Sequence, residues 1–132
     1  MQTLLIALQV IVGLGILNVW FVRKEKQTPF RGGNTSSMTE EFKHYGMPEW
    51  SVPVVGFFKV GFALVILAGL FNPSLTALGA SGLALFMFGA VLMHVKVKDS
   101  FYQTAPALLM LVMCAVLAWG SSPNIVTIAG NL

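Results

Sequence analysis

Four apolar stretches, each close to the thickness of a bilayer when helical, dominate this chain of 132 residues. They run over residues 4–22, 52–71, 75–95 and 105–119. A helix needs about 20 mostly apolar residues to cross a hydrocarbon core of ~30 Å. No soluble core of this size hides four such stretches, and the chain is 56% hydrophobic and only 10% charged, against roughly 25% charged in soluble domains. The expected fold is all-α, a polytopic membrane four-helix bundle, with residues 1–132 forming a single membrane domain.

The first stretch is expected to be a retained span and not a secretory signal, because its charges (Arg23, Lys24, Lys26) follow the apolar run and no small-residue cleavage site appears. Pro53 suits the start of the second span, and Asn72-Pro73 ends it and makes the link to the third tight. The third span carries Ala77, Ala80, Ser81, Gly82, Ala84, Gly89 and Ala90, small residues that let helix backbones approach closely in lipid. The fourth reads as the shortest, with Pro106 in its first turn, where a missing N–H costs little. The tail that follows has no charged side chain.

Lys and Arg are distributed unequally between the connections. Arg23, Lys24, Lys26, Arg31 and Lys43 follow the first span, Lys96 and Lys98 follow the third, and the other connection and both termini have none. The positive-inside rule therefore places both charged loops in the cytoplasm and both termini outside, with a bacterial cytoplasmic (inner) membrane as the expected location. Trp20, Trp50, Phe101 and Tyr102 are then expected at the inner interface and Trp119 at the outer one. The net charge of +3 comes from residues flanking spans, not from a basic patch with stacking aromatics, so nucleic acid is not an expected partner; membrane lipids are.

The loop 23–51 has its own local signals. Ser37-Met38-Thr39-Glu40 has capping-box spacing, Met38, Phe42 and Tyr45 recur at helical spacing, and Gly46 with Pro48 supplies a stop. These predict a short amphipathic helix lying on the membrane or capping the bundle. Before it, Arg31-Gly32-Gly33-Asn34 reads as a turn or as a backbone able to approach an anion.

Intramembrane polar groups are expensive, so they mark candidate sites. Lys59 lies about two turns inside the second span, from where it either snorkels to the inner headgroups or turns into the bundle. His94 and Asn18 fall near the same end of the third and first spans. Lys59, His94 and Asn18 thus form a candidate polar pocket below the loop helix, with a structural hydrogen-bond network as the alternative. No Asp or Glu lies within a span, which removes the carboxylate expected of a small proton-coupled exporter, and no HxxxH or CxxC spacing points to a metal. The lone Cys114 excludes an intrachain disulfide.

Lys59-Val60-Gly61 in the second span, Gly82 in the third, His94, Asp99 and Ala105-Pro106-Ala107-Leu108, preceded by Glu41-Phe42 and Tyr45-Gly46-x-Pro48, make a pattern that resembles the DoxX-like family of small four-helix membrane proteins. The resemblance covers nearly the whole chain. It implies a compact bundle and associates the chain with relatives in quinone-linked sulfur oxidation, in membrane oxidoreductase assemblies and in assembly of other membrane proteins. The positions carried over are Lys59, His94, Asp99 and Pro106, with Asp99 expected to cap or to pair with Lys96, Lys98 or His94. Glu41, Phe42, Tyr45 and Gly82 are expected to be structural or interface residues. The functions to weigh are a non-enzymatic accessory or assembly subunit of a larger membrane complex, a quinone- or lipid-binding redox component, and a small transporter. Catalysis by the chain alone is not expected.

Overall fold

A computed structural model describes residues 2–22, 35 and 37–121, and these contain five α-helices and no strands. They are α1 (Gln2–Phe21), α2 (Met38–His44), α3 (Ser51–Ala68), α4 (Pro73–Lys96) and α5 (Phe101–Gly120). All but α2 are long and apolar enough to cross a membrane, and the protein is an integral membrane protein. The Arg31–Asn34 turn, four of the basic residues used for orientation and the polar tail lie outside the described residues.

The four long helices pack in a ring: α1 against α3, α3 against α4, α4 against α5, and α5 back against α1. Their shared core is Val12, Ile16, Ala63, Ile66, Ala80, Leu83, Cys114 and Leu117, all buried. The outward side chains, among them Phe57, Leu85 and Val112, are exposed and apolar, as a lipid-facing surface requires. The small residues of α4 act where α3 approaches: a Cβ on Gly79 would stand 2.9 Å from the carbonyl oxygen of Phe62, so only hydrogen fits between the backbones. Gly82 leaves the space filled by the Phe62 ring. One buried polar contact staples three helices, with Gln9 Nε2 donating to Thr76 Oγ1 at 2.7 Å and to the Ile66 carbonyl at 3.4 Å.

Helix ends follow their local chemistry. Asn72 accepts from the Ser74 N–H at 3.3 Å, with Pro73 in the first turn of α4. The fourth membrane helix is longer than the sequence reading of 105–119. Ser100 and Gln103 form a reciprocal capping box that starts α5 at Phe101, which makes it 20 residues long. Pro106 is consequently inside the helix and not in its first turn; its ring nitrogen offers no N–H to the carbonyl four residues back. Trp20 also departs from expectation. It is buried, whereas Trp50, Phe101, Tyr102 and Trp119 are exposed.

A candidate ligand pocket beneath the loop helix

Helix α2 covers one end of the bundle because its apolar side chains share a face. Ser37 accepts from the Glu40 N–H at 3.2 Å and starts the helix; Met38, Phe42 and Tyr45 are then buried, while Glu40, Lys43 and His44 are exposed. The chain stops at Gly46, whose φ of +84° is a left-handed conformation that favours glycine. The Gly46 N–H meets the Lys43 carbonyl at 3.0 Å and the Met47 N–H meets the Phe42 carbonyl at 3.0 Å, a Schellman closure. Lys96 Nζ donates to the Tyr45 carbonyl at 2.9 Å, tying the last turn of α4 to the end of α2.

Directly below lies a row of four polar side chains. Tyr45 Oη donates to Glu41 Oε1 at 2.5 Å, an i, i+4 pair on one face of α2. The same hydroxyl stands 3.4 Å from His94 Nε2, a long contact, and the two rings meet edge to face at 5.8 Å between centroids. On the other side of the imidazole, Nδ1 lies 2.8 Å from Asp99 Oδ2, in an ion-pair arrangement whose side chains are 6% and 4% exposed. Of the partners open to Asp99, the structure selects His94. The reason is local: Lys98 takes φ 59°, and the Asp99 N–H then reaches the His94 carbonyl at 3.0 Å while the Lys98 N–H reaches Val95 at 3.1 Å. This second Schellman turn returns the Asp99 side chain to the imidazole of the residue its backbone already holds. Asp99 therefore orients the ring, and Nε2 is the nitrogen left to face Tyr45 and the space beneath α2.

That space is a pocket of about 530 Å³, within the ~300–1,000 Å³ range of small-molecule sites. All five helices or their ends contribute to its wall. Five of the seven methionines line it, together with Trp20, Phe42 and Phe86; thioethers of this kind adapt to ligand shape and contact aromatic edges well. Its polar lining consists of Glu41, Tyr45, Lys59, His94 and Gln103. Exposed Leu85 and Pro106 bring it to the molecular surface.

Lys59 turns into the bundle. Its side chain lines the pocket and Nζ lies 6.0 Å from the Trp20 ring centroid, within cation–π range. Trp20 can lie there because residue 56 is glycine: a Cβ at that position would fall 2.6 Å from the indole. Phe42 meets the other side of Trp20 edge to face, with centroids 6.4 Å apart. Sequence reasoning placed Trp20 at the interface because nothing local distinguishes an interfacial tryptophan from one sheltered by a glycine on another helix.

Of the residues singled out from sequence, Lys59, His94, Glu41, Phe42, Tyr45 and Pro106 line the pocket. Asn18 does not join them: it sits on an exposed face of α1 and is absent from the wall, whereas Ile16, Val19 and Trp20 are part of it. Asp99 stands behind His94, and Gly82 serves the contact between α3 and α4. The methionine lining and Gln103 were not foreseen. Among the described residues, no three His, Cys, Asp or Glu side chains are grouped so as to hold a metal.

Comparison with known proteins locates the chain. It is 30% identical over 84 residues to the uncharacterized protein YdgD of Bacillus subtilis, which covers 62% of this chain and 73% of that protein. No solved structure matches it. The DoxX-like family matches residues 31–117, a span from the segment before α2 to near the end of α5, and the chain belongs to the DoxX-like family.

Proposed function

We propose that the protein is a ligand-binding membrane component whose pocket beneath α2 holds an amphiphile, a quinone or a lipid, with the polar end of the molecule among Lys59, Glu41 and His94. The supporting observation is the pocket itself: apolar, rich in methionine and aromatic rings, with a few convergent polar groups near α2. Such a wall suits an apolar body, and such polar groups fix its orientation. With the charged loops on the cytoplasmic side, the pocket occupies the inner-leaflet half of the bundle. The protein acts as a non-enzymatic accessory to a larger membrane assembly, presenting or retaining the ligand; gentle extraction followed by native mass spectrometry tests for a stoichiometric partner.

Gly89 allows a direct test. It lines the pocket, and a Cβ there would meet nothing within 4 Å, so a large side chain enters the cavity without striking a neighbouring helix at its root. Gly89→Phe is expected to leave the protein folded and to reduce co-purifying amphiphile by about tenfold or more, measured by mass spectrometry of organic extracts from wild type and variant. Equal extracts from the two proteins would refute the reading.

A further inference from the structure

Resting on the pocket reading above, we propose that Lys59 is a covalent capture site, whose amine forms a reversible imine with a neutral long-chain aldehyde drawn from the bilayer. Lysine is the side chain that condenses with carbonyl compounds, and an apolar pocket is a setting in which proteins activate it to do so. Lys59 meets that description. It lines the pocket, and among the described residues its Nζ makes no hydrogen bond or close ion pair that would block approach to the nitrogen. Trp20 stands on one side, with its ring centroid 6.0 Å away. Glu41 on the same wall acts on Lys59 through its charge while accepting the neutral Tyr45 hydroxyl at 2.5 Å. The protein therefore supplies the counter-ion itself, and the reacting end of the occupant need carry no charge. The pocket reaches the surface at Leu85, which is exposed near the middle of α4, so that opening faces hydrocarbon. A molecule entering there is weakly polar and carries an apolar chain.

The condensation closes with groups on the wall. The Lys59 ammonium passes one proton to a base, and His94, whose Nδ1 is held by Asp99 at 2.8 Å so that Nε2 faces this space, is such a base. The nitrogen lone pair then bonds to the carbonyl carbon and the C=O π pair moves to oxygen. Transfer of a proton from nitrogen to that oxygen gives the carbinolamine. The proton held by the base returns to the hydroxyl, which leaves as water while the nitrogen lone pair forms the C=N bond. An ammonium and an aldehyde have become an iminium and water, with no electron gained or lost and the positive charge still at the nitrogen. Glu41 and the Trp20 face, which suit the ammonium, therefore suit the iminium as well. The methionine and aromatic wall holds the chain and limits water at the new bond, which slows its hydrolysis. Lys43 and Lys98 are exposed and have no such wall.

The probe is hexadecanal carrying a diazirine on its chain, incubated with the full-length protein in nanodiscs of phosphatidylcholine, a lipid without a primary amine. One portion is reduced with cyanoborohydride, which fixes an imine as a secondary amine; the other is photolysed, and both are mapped by peptide mass spectrometry. Reduction is expected to modify Lys59 at an initial rate at least about tenfold above that of the exposed Lys43 and Lys98. Photolysis is expected to label pocket residues such as Met87 and Met110. Lys59→Arg keeps the positive charge and forms no stable imine, so it should retain the photolabel and lose the fast fraction of the reduced adduct. Lys59 modified no faster than Lys43 and Lys98, or not at all, overturns the proposal in the wild type without any variant having to fold. If the photolabel is nevertheless in the pocket, the pocket reading stands, whereas photolabelling confined to residues outside it overturns both. A folded Lys59→Arg protein that keeps the fast fraction overturns the proposal as well.

Discussion

Lys98 adopts φ 59°, a left-handed conformation that costs an L residue about 1–2 kcal/mol. The turn it makes lets Asp99 hold His94 through both backbone and carboxylate. Two substitutions separate backbone strain from charge. Lys98→Gly is expected to raise the melting temperature, by an amount equivalent to about 1 kcal/mol once the added freedom of the unfolded chain is deducted. Lys98→Val, β-branched, is expected to lower it. Thermal unfolding in one detergent checks both, and a fall with glycine would show that the side chain contributes more than its backbone costs. Part of this residue-scale picture was legible in the sequence and part was not. His94 and Asp99 stand close in the chain and draw notice as polar groups at a span end. Trp20 and Asn18 did not sort correctly, because α1 is apolar nearly all round and its facing is set by Gly56 on α3 and Phe42 on α2.

Helix α2 is too short to persist alone, since isolated helices under ~12 residues are marginal in water. Its stability comes from the burial of Met38, Phe42 and Tyr45 and from the Lys96 bond to its last carbonyl. Lys96→Met removes that bond and keeps most of the side chain's bulk. Loss of about 1 kcal/mol predicts a roughly fivefold rise in amide hydrogen exchange over residues 41–47, with exchange in the core of α3 unchanged. Exchange rising equally in both would mean that the lysine supports the whole bundle. The elements show why α2 was easily read and the start of α5 was not. Ser37, Gly46 and the apolar spacing all point to one short helix, whereas at the fourth span Pro106 offers a plausible first turn and conceals the Ser100–Gln103 box that begins six residues earlier. Span lengths inferred from hydropathy alone therefore undercount a helix whose first turn is polar.

At the scale of the molecule, the ring of four helices exposes apolar side chains outward and encloses a pocket at the end capped by α2. The expected orientation is testable through the connections. With Cys114 buried, single cysteines at exposed Glu49 and Ser74 report opposite ends of the bundle. In intact cells, an impermeant maleimide is expected to label Ser74→Cys and to spare Glu49→Cys until the membrane is opened; the reverse pattern would invert the topology. The four-span plan was legible because hydropathy carries it over long windows. The pocket was legible only in Lys59 and His94, polar groups inside spans that attract attention singly, while Glu41 reads as a structural residue of the loop helix and a methionine wall looks like ordinary span composition until the helices are assembled.

The central claim is that this pocket is a ligand site with Lys59 at its polar end, and an experimental density map of the protein extracted at native expression into lipid nanodiscs tests it most directly. The predicted result is elongated density along Trp20, Met87 and Met110 with its head within hydrogen-bond distance of Lys59 Nζ. A pocket closed by its own side chains, with Lys59 extended past α2 to the lipid headgroups, would contradict the account.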